Sequence, residues 1–109
     1  MERRVNPDGV WYHGSNMEFA VLKSGSTVTQ WKALAQAFSH KPTCLEYDDD
    51  GRITHNGTQP GILYILDEPI EIGKDVYPHP RSSMDVNVEF LTSRELRVKK
   101  IDICTEDPQ

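Results

Sequence analysis

The chain has 109 residues, 37% hydrophobic and 27% charged, which predicts one soluble, rather polar domain with a single modest core. Its 17 acidic and 12 basic residues give a formal charge of −5, which excludes a nonspecific nucleic-acid or anionic-membrane binder working through a cationic surface. No apolar run approaches the roughly 20 residues of a membrane helix.

Residues 1–9 are polar and predicted to be loose. They lead from Met1-Glu2-Arg3-Arg4-Val5 into Asn6 and Pro7 rather than into an apolar segment, so no signal peptide is expected. Cys44 and Cys104 lie far apart and outside any metal-type spacing. They are read as reduced thiols, which places the protein in the cytoplasm.

The turn-like Asn6-Pro7-Asp8-Gly9 is followed by Val10-Trp11-Tyr12-His13, a short strand by composition. Gly14 then lets the backbone pass close to a neighbour because it has no Cβ. Residues 15–22 form a linking segment anchored by Phe19, Val21 and Leu22. After a turn at Lys23-Ser24-Gly25-Ser26, Thr27-Val28-Thr29 is a second short strand. A helix is predicted over residues 30–39, with Thr29 as N-cap. Its Trp31, Leu34, Ala35 and Phe38 form one apolar stripe, and Ala33, Ala35 and Ala37 allow close approach to a sheet. Lys41-Pro42 ends it.

Residues 47–53 suggest a hairpin turning at Asp50-Gly51. The adjacent aspartates there lack the alternate spacing and distant glutamate of a calcium loop, so they are a solvated turn. Gly61-Ile62-Leu63-Tyr64-Ile65-Leu66 is a buried central strand by its apolar run, with Tyr64 a core residue whose hydroxyl is satisfied. Residues 70–75 read as a short edge strand, and the proline-restricted residues 77–83 as an exposed loop. Residues 85–92 alternate with period two, Val86, Val88 and Phe90 on one face and Asn87, Glu89 and Leu91 on the other. Leu96, Val98 and Ile101 support a last strand whose phase shifts at Lys99-Lys100. The acidic tail from Asp102 is expected to fray. Together these elements predict an α+β fold: a small split or curved, mostly antiparallel sheet of five or six strands with one principal helix packed on it.

Within this frame the ordered set Tyr12-His13-Gly14-Ser15, Gly25-Ser26-Thr27-Val28-Thr29 with its alanine-rich helix, and Val88-Glu89-Phe90-Leu91-Thr92 resembles the ADP-ribosyltransferases of the diphtheria-toxin and poly-ADP-ribose-polymerase group. It looks most like small bacterial or phage-borne members, and the order agrees over residues 10–101. The resemblance implies an ADP-ribosyltransferase-like fold and NAD as the substrate, with ADP-ribose passed to an unknown acceptor or to water. It implies that His13, Gly14, Ser15, Ser26 and Thr27 bind NAD and that Glu89 is catalytic. No metal is implied.

The residue chemistry suits those roles. Cleavage between nicotinamide and ribose builds positive charge on the sugar, which a carboxylate such as Glu89 stabilises. Gly14 offers a backbone N–H and C=O to a carboxamide, and His13 a side-chain hydrogen bond to a ribose hydroxyl of the adenosine half. Ser26 or Thr27 is placed to position the nicotinamide ribose or the glutamate. In the family a second-strand tyrosine stacks on nicotinamide. Here Thr27 or Val28 falls at that place, and Trp31, Tyr47 and Tyr64 are the candidates to replace it. Two other readings stay open: a catalytically inactive nucleotide- or protein-binding module of the same fold, and an unrelated small interaction domain in which Tyr12-His13-Gly14-Ser15 is structural.

Overall fold

The computed structural model describes residues 5–82, 84 and 87–104. Asp85 and Val86, the start of the expected period-two strand, lie outside the described residues, as do residues 1–4, 83 and 105–109. Among the described residues the chain forms nine strands and one helix, an α+β arrangement of mostly antiparallel sheets curled into a half-barrel.

The strands are β1 (Tyr12–Ser15), β2 (Val21–Leu22), β3 (Thr27–Val28), β4 (Leu45–Tyr47), β5 (Ile53–His55), β6 (Gly61–Leu66), β7 (Val76–Pro78), β8 (Phe90–Thr92) and β9 (Leu96–Cys104), with helix α1 (Lys32–Ser39) between β3 and β4. One sheet runs β1-β6-β9-β2, the second runs β3-β8-β7, and β4-β5 is a separate hairpin.

The two larger sheets touch where Tyr12 and Thr29 exchange backbone hydrogen bonds, Tyr12 N–H to Thr29 O at 2.7 Å and Thr29 N–H to Tyr12 O at 3.0 Å. Beyond that contact β1 and β3 diverge, and the gap between them is the geometry on which the site depends. The core lies inside the curl, where Trp11, Leu22, Val28, Tyr64, Phe90 and Leu96 pack together. A second cluster of Trp31, Leu34 and Val88 packs under the β4-β5 hairpin with Tyr47 and Ile53.

Helix α1 lies across β1 and β6. It comes close because both strands present glycine beneath it. A Cβ built on Gly14 would stand 1.8 Å from the Ala35 carbonyl oxygen, and one on Gly61 would stand 2.0 Å from the Ser39 hydroxyl. The alanines of the helix work to the same end, with Ala35 buried against Leu63.

Several local expectations are corrected. The helix begins at Lys32 with Trp31 as its N-cap, and Thr29 does not cap it. The Thr29 hydroxyl instead accepts from Trp31 N–H at 3.1 Å in a turn one step earlier. Val21 and Leu22 are a strand rather than a link, paired with Arg97 and Leu96. The edge strand expected before residue 76 begins at Val76 and runs to Pro78, inside the stretch read as a loop. A proline is tolerated there because β7 is the outer strand of its sheet and needs no donor on its free side. The strand expected over residues 85–92 covers Phe90–Thr92, and Asn87 sits in a turn with φ of 67°. At the other end β9 continues through residue 104. The phase shift at Lys99-Lys100 has a structural cause: Tyr64 faces Lys100 and Leu63 faces Asp102, so Ile101 is the extra residue of a β-bulge. Asn6 is tied to the fold as well, its backbone N–H and C=O both bonded to the Gln30 side chain.

Candidate functional site

A cavity of about 300 Å³ opens where β1 and β3 diverge, bounded by Tyr12, His13 and Gly14 on one side, Ser26, Thr27 and Thr29 on another, and Ala35, Phe38, Lys41, Pro42 and Glu89. Five of the six residues expected to form the site therefore meet here, although His13 and Glu89 are 76 positions apart. Ser15 does not line it; its side chain is buried and its hydroxyl accepts from Met17 N–H at 3.2 Å.

His13 spans the gap between the strands. Its Nδ1 lies 2.7 Å from the Thr27 carbonyl oxygen. A carbonyl only accepts, so Nδ1 carries the proton and Nε2 is left as an acceptor. Burial lowers the pKa of the imidazole from its ordinary value of 6.5, the Thr27 bond opposes that shift, and the Lys41 ammonium adds to it. The net direction keeps the ring neutral at pH 7. Thr27 thus contributes its backbone to holding the histidine.

Gly14 contributes backbone of its own. In an antiparallel pair, successive residues bond alternately to the partner strand and away from it. Trp11 O accepts from Leu66 N–H, and Tyr12 turns to Thr29 on the opposite side. Counting on from Tyr12, Gly14 directs its N–H and C=O away from β6, toward the gap. The two strands have separated by then, so these groups face the cavity.

Ser26 lines the rim with a hydroxyl that already donates to Lys23 O at 2.6 Å, which leaves its oxygen as an acceptor. Glu89 stands just before β8, opposite Thr29 if the Thr27–Leu91 and Val28–Phe90 pairing is continued. Val88 and Phe90 on either side are buried, whereas Glu89 is half-buried and lines the cavity. Its Oε1 accepts from the Ser82 hydroxyl at 2.5 Å.

No family model, curated protein or solved structure matches the chain.

Trp31, Tyr47 and Tyr64, the aromatics considered as replacements for a stacking tyrosine, are absent from the lining. Trp31 is core and meets Tyr47 edge to face, with ring centroids 5.1 Å apart. Tyr64 is buried, donates its hydroxyl to Met17 O at 2.8 Å and stacks on Phe19. The aromatic surface of the cavity comes from Tyr12 and Phe38 instead.

Sequence reasoning also passed over Lys41, read as a helix stop. Lys41 adopts φ of 56°, the left-handed position that commonly ends a helix. That turn brings it to the rim, where it carries the one positive charge among the described lining residues. Among the described residues no group of three or more metal-ligating side chains occurs, and no helix is long and apolar enough to cross a membrane.

Proposed function

We propose that the cavity takes the nicotinamide-ribose half of NAD and that the protein is an ADP-ribosyltransferase-like enzyme, passing ADP-ribose to an acceptor or to water. The observation that carries this reading is the meeting of His13 and Gly14 of β1 with Glu89, just before β8, around one cavity. The free acceptor of a neutral His13 suits a ribose hydroxyl. The paired N–H and C=O of Gly14 suit a carboxamide, which has donors and an acceptor of its own. Tyr12 and Phe38 supply apolar surface for a pyridinium ring, and Lys41 supplies charge for the diphosphate.

At about 300 Å³ the cavity is at the lower end of the range for small-molecule sites. It suits one half of a dinucleotide, with the adenosine half lying along the surface. In the reaction the bond between ribose C1′ and the nicotinamide nitrogen breaks, and nicotinamide leaves with the electron pair. The oxygen or nitrogen of the acceptor, or water, forms the new bond to C1′ and releases its proton to a base or to solvent. Glu89 stabilises the positive charge on the sugar meanwhile. The second reading, an inactive nucleotide binder, draws on Thr27 standing where a stacking aromatic is expected.

Calorimetric titration with NAD and an assay of NAD consumption separate these readings. Under the enzyme reading the wild type binds and consumes NAD, His13→Ala weakens binding, and Glu89→Gln stops turnover while its melting temperature stays put. Binding without turnover selects the inactive binder. No binding at millimolar NAD rejects both.

A further inference from the structure

We propose that Ser82 is a positioning residue for the Glu89 carboxylate, an inference that rests on Glu89 acting at the cavity as described above. Ser82 belongs to the segment after β7 and does not line the cavity. Its hydroxyl sits between two partners. The oxygen accepts from Met84 N–H at 3.1 Å, and the proton is given to Glu89 Oε1 at 2.5 Å. The first bond fixes how the hydroxyl is turned, so the second fixes the carboxylate.

The same segment is held to Glu89 through the backbone, since His79 N–H donates to Glu89 O at 3.0 Å. Pro78 and Pro80 bracket that bond and restrict the chain on both sides. The carboxylate is thus clasped at Oε1, and among the described residues no hydrogen bond holds Oε2. A glutamate side chain has three rotatable bonds, and without the clasp it would spread over several rotamers pointing into solvent. Ser82 acts on the reaction through Glu89 and has no role in capturing the dinucleotide.

The test compares wild type, Ser82→Ala and Ser82→Thr in NAD turnover and by crystallography. Ser82→Ala is expected to lower kcat about tenfold or more while KM for NAD changes less than about threefold, the pattern of a misplaced catalytic group. Ser82→Thr keeps the hydroxyl and is expected to recover most of the loss. In the crystal of Ser82→Ala, the Glu89 carboxylate is expected to leave its wild-type position. An unchanged kcat in Ser82→Ala, or a loss that threonine does not recover, overturns the proposal. If the wild type neither binds nor consumes NAD, the dinucleotide reading is what fails. The crystals then decide the role of Ser82, and a Glu89 rotamer unchanged in Ser82→Ala overturns it.

Discussion

Replacing Gly14 with alanine tests how the site is built. The added Cβ would stand 1.8 Å from Ala35 O, 2.8 Å from Ser39 N and 2.9 Å from Ala35 C. All three are backbone atoms of α1 or its end, so no rotamer change relieves the clash. Restoring an ordinary contact of 3.4 Å to Ala35 O means moving helix and strand apart by about 1.6 Å. That movement opens the Ala35–Leu63 contact and parts of the packing around Leu34. Overpacking costs about 1–3 kcal/mol where side chains can adjust. Here backbone must move, so the expected loss is about 3 kcal/mol or more, a large share of the stability of a small domain. Gly25→Ala is the control: a Cβ there meets nothing within 4 Å, and the strain comes from its φ of 82° alone, about 1–2 kcal/mol. Urea unfolding followed by circular dichroism gives both numbers. A Gly14→Ala variant no less stable than Gly25→Ala would refute the close-packing argument. If the proposed NAD binding holds, its loss in a Gly14 variant would reflect displaced packing as much as a lost contact.

Other consequences follow from titration and size. Because the folded pKa of His13 lies below its ordinary value, the unfolded chain takes up the proton first as pH falls. Stability should therefore decline as pH drops below about 6.5, and His13→Asn should remove that part of the decline in urea midpoints measured between pH 5 and 8. Equal slopes for the two proteins would contradict the assignment. Arg94 donates to Asp75 and Glu68 at 2.8 and 3.1 Å. Asp75 is lowered first by Arg94 and then by the Glu71 N–H; Glu68 is lowered first by the Arg97 N–H and then by Arg94. Depressed carboxylates stabilise above their unfolded values and lose that contribution as pH falls through the folded ones. Arg94→Gln should thus be less stable at neutral pH and show a shallower loss below pH ~4; parallel acid curves would count against it. Finally, nicotinamide mononucleotide should compete with NAD for the cavity, whereas AMP should compete far less in the same titration. The reverse order would place the adenosine half inside.

The elements with a strong local signal were legible. The apolar run of β6, the Asp50-Gly51 turn between β4 and β5, and the stripe of α1 each state their structure within a few residues. The strand expected over residues 85–92 misled for a physical reason. Val88 and Phe90 are both buried, which mimics period two, yet they enter different clusters, Val88 beside Trp31 and Phe90 beside Trp11. A turn at Asn87 therefore leaves the same alternating burial that a strand would. Strands as short as β2 hold too few residues to show any period. The gathering of His13, Gly14, Ser26, Thr27 and Glu89 came from the order of motifs and not from local pattern, since nothing near residue 13 points to residue 89. Ser82, Lys41 and Phe38 were not legible as site residues. Their places depend on a loop crossing, a left-handed turn and a helix rotation that exist only once the chain has folded.

The arrangement separates rigid parts of the cavity from an adjustable one. One wall is β1 under α1, where glycine and alanine bring backbone against backbone and leave nothing free to turn. His13 is fixed to that wall's neighbour by the Thr27 carbonyl, which decides its tautomer as well as its direction. Glu89 stands at the opposite side, and its carboxylate is set by the Ser82 hydroxyl from a separate segment. A change at Ser82 can therefore move the carboxylate without disturbing the groups proposed to hold a ligand. A change at Gly14 moves the helix and with it Ala35 and Phe38 on the cavity wall. Under the proposed function, binding and turnover should accordingly respond to different residues, and a variant series that alters both together at Ser82 would mean the two sides are mechanically one.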